Sequence, residues 1–246
     1  MIQKSVLLSF LFFLFSGYAS AKVTQVNYDM SFGIFGTVGT LKTKLTKKVK
    51  TYEIDTKLNV TGLAKYLMDS HTERHISKGH MENGLMVSDL YQTIQEYGNT
   101  IVSKKYWIDH KSKNITKRVK KWKRGKLIKD TKETLKFYAK DDLLTLYFNL
   151  DVAIKGKGKK YIFKAVGLEK QKGKVQITVP SKSESSSYKK DLGKTADWYA
   201  KALIYQKNFR KKKGDILLSV GKDGIIKKAV IKDVLLYGDA KIKRVK

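Results

Sequence analysis

Apolar and polar residues alternate along most of the chain, which is the pattern of half-buried β-strands. The clearest case is the segment 51–60, where the even-numbered positions from Tyr52 to Val60 share one face. The segment 26–34 has the same period, and its apolar face carries Val26, Tyr28, Met30, Phe32 and Ile34. Similar alternation predicts strands near 70–86, 91–96, 101–109, 161–166, 174–179, 216–220 and 225–231.

Helices are predicted at few positions. Asp141 and Asp142 precede the dense apolar segment 143–150, and aspartate is a favoured N-cap residue. This segment predicts a short buried helix that packs across a sheet. A helical turn is expected at 62–68, and the Ser- and Lys-rich segment 180–194, which holds the single proline, is expected to be a loop.

These elements predict a mainly β fold with a single antiparallel, strongly curved sheet or half-open barrel and one or two short helices. No internal repeat and no Gly- or Pro-rich linker divides the chain. We therefore expect a signal peptide over 1–21 and a single β-rich domain over 22–246.

The N-terminus predicts export. Lys4 precedes the apolar run Val6–Phe15, and the segment then ends in Ala19-Ser20-Ala21. A basic start, an apolar run of this length and a small-x-small site are typical of a cleaved secretory signal. The run is too short to span a bilayer, which takes roughly 20 residues. We expect cleavage after Ala21 and a periplasmic product, and an uncleaved anchor is the alternative.

Composition narrows the class of protein. There is no Cys, so we expect neither a disulfide nor a lipidated cysteine, and the formal net charge is +30. The basic residues are almost all Lys, which indicates a diffuse positive field rather than a shaped phosphate site. The field is typical of a solvated Lys-rich surface, or of one attracted to anionic membranes or phosphorylated glycolipid. Nucleic acid is not expected as a partner of an exported protein.

The positive charge is most concentrated in a predicted exposed hairpin over 111–134. Between Lys111 and Lys126 there are nine basic residues and no acidic one. Such a segment repels itself and must face solvent or an anionic partner. The residues expected to contact an anionic surface are Lys117, Arg118, Lys120, Lys121, Lys123 and Arg124.

Candidate metal ligands occur on one predicted strand. His71, Glu73 and His75 are spaced i, i+2, i+4 and share a face, and they are ligand types that zinc or copper accepts. Spacing alone favours the alternative, a solvated strand face. No catalytic residue and no cofactor are predicted, because the Ser186–Lys189 and Gly193–Thr195 segments lack the companion motifs of nucleophilic or phosphate-binding sites. An enzyme with an unrecognised site stays as an alternative to a non-enzymatic protein.

Several segments resemble a bacterial periplasmic family catalogued as domain of unknown function 3108. The segments that carry the resemblance are 28–39, 52–55, 84–91, 141–150, 216–224 and 235–238. The family is itself distantly similar to the half-open β-barrels of periplasmic lipoprotein carriers. That likeness implies a curved sheet with an apolar groove under short helices.

From these features we predict a non-enzymatic protein of cell-envelope maintenance. It would bind an amphiphile, such as a lipid, a lipoprotein acyl chain or a glycolipid. A structural module that docks to envelope proteins is the main alternative. The expected groove is lined by Tyr28, Met30, Phe32, Ile34, Leu146, Tyr147 and Phe148.

Overall fold

The fold is taken from a computed structural model that describes residues 21–62, 71–168, 171–205, 214–234 and 238–245. The predicted signal peptide, apart from Ala21, and nearly all of the predicted helical turn at 62–68 lie outside these ranges. Among the described residues, no helix combines the length and apolar character needed to cross a membrane.

Strands make up most of the described chain. They are β1 (Lys22–Phe32), β2 (Gly36–Lys47), β3 (Thr51–Val60), β4 (Thr72–Glu82), β5 (Leu85–Tyr97), β6 (Thr100–Asp109), β7 (Asn114–Lys123), β8 (Lys126–Thr134), β9 (Asp141–Asp142), β10 (Lys159–Val166), β11 (Lys174–Val179), β12 (Trp198–Ile204), β13 (Gly214–Val220), β14 (Ile226–Val234) and β15 (Gly238–Val245). The helices among the described residues are α1 (Leu143–Ala153) and α2 (Ser185–Leu192), and a 3-10 turn spans Gly33–Phe35.

All fifteen strands belong to one sheet in the order β8-β7-β6-β5-β4-β3-β2-β1-β15-β14-β13-β12-β11-β10-β9. The sheet is not closed into a barrel, and β8 and β9 are its edges. The prediction of a mainly β fold with one or two short helices is confirmed for the described residues. The prediction that the sheet is purely antiparallel is wrong, because β9 runs parallel to β10. β9 has only two residues and leads straight into α1, so the chain must cross over before β10 returns.

The sheet curls around α1. Ser88 on β5 donates its backbone N–H to the carbonyl of Lys140, just before the edge strand β9, at 3.0 Å. A strand near one edge therefore lies beside the opposite edge. Helix α1 is apolar on every side, and its residues take part in four apolar clusters contributed by different parts of the sheet. The helix thus occupies the concave side of the sheet.

Asp142 begins α1 as predicted and is fully buried. One carboxylate oxygen accepts the backbone N–H groups of Leu144 and Thr145 at 2.7 and 3.0 Å. The other oxygen accepts hydroxyls from Ser77 and Ser88 on the sheet at 2.5 and 2.6 Å. The N-cap residue therefore joins the helix to the sheet, because its carboxylate accepts hydrogen bonds both from the first turn of α1 and from β4 and β5.

A side chain of the second helical turn also joins α1 to the sheet. Asn149 donates to the carbonyl of Met86 at 2.8 Å and accepts the N–H of the same residue at 3.1 Å. The amide thus pairs with β5 as a neighbouring strand would. Burial of these groups is compatible with folding because their hydrogen bonds are satisfied.

One local prediction needs correction. The segment 180–194 is not a loop throughout, because Ser185–Leu192 forms α2. Its helix buries Leu192 against Tyr199 and Val230, a tertiary contact that low local complexity does not reveal. The Lys-rich segment after 237 is strand β15, which pairs with both β1 and β14.

Candidate functional site

The positive charge of the chain is displayed on a two-stranded ribbon, which we call the basic ribbon and define as β7 and β8 (Asn114–Thr134). The predicted hairpin over 111–134 is confirmed, with Arg124 and Gly125 at its turn. Both residues have positive φ, 51° and 76°, which matches the twist of a two-residue hairpin turn. Every residue of β8 is exposed, so the ribbon extends beyond the core.

Half of the predicted anionic-surface residues have acidic partners within the ribbon. Arg118 donates to both carboxylate oxygens of Asp130 at 2.7 and 2.6 Å, and this hydrogen bonding lowers the pKa of Asp130. Lys120 lies 3.8 Å from the same carboxylate, and Lys117 lies 3.1 Å from Glu133. These three cations are therefore partly neutralised by β8.

The uncompensated charge lies at the far end of the ribbon. Among the described residues, Lys121, Lys123 and Arg124 have no acidic partner within 4 Å. Lys126 and Lys129 of β8 pair in register with Lys123 and Lys121, so like charges face each other across the hairpin. Like charges directly opposite are destabilising in the absence of a counter-charge. This arrangement suits an anionic partner.

The same end carries exposed apolar side chains. Ile101, Trp122 and Leu127 form one cross-strand row through β6, β7 and β8. Ile128 follows at a register shift in β8. Ile101, Leu127 and Ile128 are 41%, 45% and 50% exposed. We call this group, with the flanking basic residues, the ribbon end; it consists of Ile101, Lys121, Trp122, Lys123, Arg124, Lys126, Leu127, Ile128 and Lys129.

Among the described residues, the predicted groove residues of α1 pack against Tyr28 and the sheet. Tyr28 and Leu146 are buried, and the Tyr28 hydroxyl lies 2.6 Å from that of Tyr147. Burial, with the neighbouring Tyr147, raises the pKa of Tyr28. Phe148 packs in a cluster around Ile54. These side chains form the contact between α1 and the sheet, so they are core residues rather than a ligand surface.

The other groove residues lie on β1 and beyond it. Met30 and Phe32 are half-buried, and the side chain of Ile34 lies outside the described part of the structure. A surface cleft of about 610 Å³ does occur on the outer side of β2 to β5. Charged residues line it, among them Lys44, Glu53, Asp55, Lys78 and Asp89.

The predicted metal ligands are half-buried and engaged with one another. His75 Nε2 lies 2.8 Å from Glu73 Oε1, and His71 Nε2 lies 3.5 Å from Glu73 Oε2. The other ring nitrogen of His75 lies 2.7 Å from the Tyr91 hydroxyl. Burial raises the pKa of Glu73, but the hydrogen bonds to the two imidazoles outweigh it and hold the pKa below its usual value. The two histidines approach different oxygens of the carboxylate and do not converge on one point.

A second group, His80, Asp89 and His110, does converge. Their ligand atoms all lie within 4.8 Å of one another. His80 Nδ1 is 2.9 Å and His110 Nε2 is 3.2 Å from Asp89 Oδ1. His110 Nδ1 lies 2.8 Å from the Tyr138 hydroxyl.

A β-bulge presents Asp89 to the two histidines. The register of β4 and β5 passes from Lys78 opposite Leu90 to Gly79 opposite Ser88, which leaves Asp89 without a paired residue. Bulges bend a strand and redirect side chains. Gly79 is needed at this point, because a Cβ there would lie 1.9 Å from the carbonyl oxygen of Val87.

The i, i+2, i+4 spacing could not identify this group. Its members come from three strands or strand ends, and His110 follows β6 thirty residues after His80. One feature of the sequence could have indicated the group. The turn at Glu82-Asn83-Gly84 predicts that β4 and β5 are antiparallel neighbours, and the following meander places β6 beside β5, so the strand ends that carry the three residues lie close together. The bulge at Asp89 has no such signal in the sequence.

No family model matches the chain, and no curated protein matches it, so the resemblance to domain of unknown function 3108 stays a prediction. A solved structure with a similar fold is a β-barrel-like protein of domain of unknown function DUF1849 from Brucella abortus. It is 10% identical, covers 90% of this chain and 95% of its own, and has a TM-score of 0.49.

Proposed function

We propose that the protein is an exported, non-enzymatic envelope factor that binds anionic lipid surfaces through the ribbon end. The observation that carries the proposal is the combination of exposed Ile101, Leu127 and Ile128 with uncompensated Lys and Arg at one extremity of the molecule. Apolar side chains favour the boundary between headgroups and acyl chains, and each Lys near an anionic surface contributes about 1 kcal/mol.

In this proposal the lipid is bound at the exposed ribbon end and not in the internal groove that the sequence predicted. Helix α1 fills the concave side of the sheet with its own side chains. Trp122 supports the surface role, because its ring is half-buried among the apolar residues of the ribbon end, and tryptophan favours membrane interfaces. The N-terminal pattern of residues 1–21 supports export to a compartment where such surfaces occur.

Docking to another envelope protein by strand addition is the second candidate. The edge strand β8 is exposed along its whole length, which favours this candidate. Lys126, Lys129 and Lys132 lie along that strand, however, and lysines on an edge strand discourage pairing with another chain. We therefore favour the lipid surface.

Vesicle co-sedimentation tests the proposal. Protein without residues 1–21 is mixed with vesicles of phosphatidylcholine alone or with added phosphatidylglycerol. We expect binding only to the anionic vesicles, weakened by salt because exposed charges are screened. The triple variant Lys123→Gln, Lys126→Gln and Leu127→Ser should bind at least about 30-fold more weakly, since two lysines account for about 2 kcal/mol.

A matched control comes from β10. Lys159, Lys160 and Ile162 are exposed, and Ile162 is 59% accessible. Replacing them with Gln, Gln and Ser removes the same charge and similar apolar surface. If this control weakens binding as much as the ribbon variant, only the diffuse field matters and the proposal is wrong. Cell fractionation tests export, and a product that keeps residues 1–21 in the cytoplasm would contradict it.

A further inference from the structure

We infer that His80, Asp89 and His110 form a binding site for a divalent transition metal, with Zn²⁺ as the best fit. Two imidazoles and a carboxylate are ligand types that zinc combines in sites with an open coordination position. The inference does not depend on the proposed lipid surface, because the three residues lie at the opposite end of β4 to β6 from the ribbon end.

The ligand atoms are nearly in place. A tetrahedral zinc ion with bonds of about 2.0–2.2 Å holds its ligand atoms roughly 3.3–3.6 Å apart. Asp89 Oδ1 is 2.9 Å from His80 Nδ1 and 3.2 Å from His110 Nε2. The two rings meet edge to face with their centroids 5.5 Å apart. His110 Nε2 also lies 3.0 Å from the backbone carbonyl of Ser88, and a bound ion would replace that contact. All three ligand atoms lie within 4.8 Å of one another, so they would adjust around the ion.

A supporting residue orients one ligand. The Tyr138 hydroxyl lies 2.8 Å from His110 Nδ1. With Nε2 on the metal, Nδ1 carries the ring proton and donates it to the tyrosine oxygen. Metal-bound histidines almost always have such a partner at the second nitrogen, and it fixes the tautomer and the ring orientation.

Two lysines beside the site have acidic partners of their own, and the site is open to solvent. Lys140 pairs with Glu82 at 3.0 Å, and Lys78 pairs with Glu53 at 3.0 Å, so the adjacent ammonium groups are already engaged. Asp89 lines the cleft on the outer side of β2 to β5, which gives an ion access. Three protein ligands on an accessible surface leave the remaining position to water.

The opposing explanation is a set of ordinary hydrogen bonds between two histidines and an aspartate. The chain contains its own control for this, because His71, Glu73 and His75, at the start of β4, also combine two imidazoles with a carboxylate linked by hydrogen bonds. Their two imidazoles contact different carboxylate oxygens, His75 Nε2 at 2.8 Å from one and His71 Nε2 at 3.5 Å from the other. The two groups therefore differ in geometry: His80 and His110 both approach Oδ1 of Asp89, whereas His71 and His75 approach different oxygens of Glu73.

The test is metal titration of the purified protein. Zn²⁺ affinity is measured by competition with a chromophoric chelator, and Co²⁺ is added to record the visible absorption of a tetrahedral site. We expect one bound ion per chain. The double variant His80→Ala and His110→Ala should lose more than about 100-fold in affinity, beyond the 10–100-fold typical of losing a supporting partner.

Two further variants separate a metal site from a purely structural cluster. His71→Ala with His75→Ala should leave the affinity and the Co²⁺ spectrum unchanged. Tyr138→Phe should lower the affinity about 10-fold while keeping the spectrum. Circular dichroism without metal checks that each variant is folded. Absence of stoichiometric binding, or binding that survives loss of both His80 and His110, would overturn the inference.

Discussion

Helix α1 and the basic ribbon differ in how the rest of the molecule covers them. The helix packs against several parts of the sheet, and it begins at the fully buried Asp142. The ribbon has an outer strand that is exposed at every position. Stability should therefore be concentrated in contacts of the helix, while substitutions in the ribbon end should change binding and leave folding nearly intact.

The largest effect is expected at the buried N-cap. Asp142→Ala removes the acceptor of the Ser77 and Ser88 hydroxyls and of two helix N–H groups. Leaving buried donors without a partner should lower the free energy of unfolding by about 3–5 kcal/mol, which denaturant titration measures.

Asp109 provides the comparison for that variant. Its carboxylate also accepts two backbone N–H groups, those of Lys111 and Ser112, but it is exposed. Asp109→Ala should leave the unfolding midpoint almost unchanged, because water can replace the lost acceptor. Equal losses in the two variants would mean that burial of the Asp142 network does not decide stability.

The second largest difference in stability is expected between two leucine-to-alanine substitutions, one in the core and one in the ribbon end. Leu150 is buried between α1 and the sheet, so Leu150→Ala should lower the free energy of unfolding by about 2–5 kcal/mol. Leu127 at the ribbon end is 45% exposed, and Leu127→Ala should cost less than about 0.5 kcal/mol. Thermal or denaturant unfolding checks both. A similar cost at Leu127 would show that the ribbon end is covered in solution, contrary to the comparison.

The smallest effect is a pH dependence at the start of the helix. Burial raises the pKa of Asp141 from 3.8 to about 6. Between these values the folded protein binds more protons than the unfolded chain, so this group makes stability fall as pH rises from about 4 to about 6. The contribution is on the order of 3 kcal/mol.

Asp141→Asn should remove that contribution. The amide oxygen can still accept from Asn149, which donates to Asp141 at 3.2 Å. We expect a flatter stability profile between pH 4 and pH 6 for the variant, measured by denaturant unfolding at several pH values. Parallel profiles for the two proteins would show that Asp141 is not buried as described.

Much of the fold follows from local patterns. The alternation around Ile54 places its strand with the correct buried face, and Asp142 marks the start of the helix because N-capping needs only local geometry. The helix in segment 180–194 could not be predicted from local sequence, because α2 depends on Leu192 packing against strands that are distant in the chain. The parallel pairing of β9 with β10 likewise depends on the crossover and not on the two residues of β9.

The candidate sites show the same division. The sequence located the positive hairpin, yet Glu133 and Asp130 neutralise part of it and move the free charge toward Lys123 and Arg124. That shift depends on strand register, which a one-residue slip would reverse.

The amino-acid sequence by itself determined the β-rich class, the turn at Arg124-Gly125, the capped helix and the strongly basic charge, since each depends on residues close together in the chain. Only the tertiary structure decided that α1 fills the concave side and that His80, Asp89 and His110 meet. Both outcomes require the curl of a fifteen-stranded sheet and one bulge in β5, which bring together residues far apart in sequence.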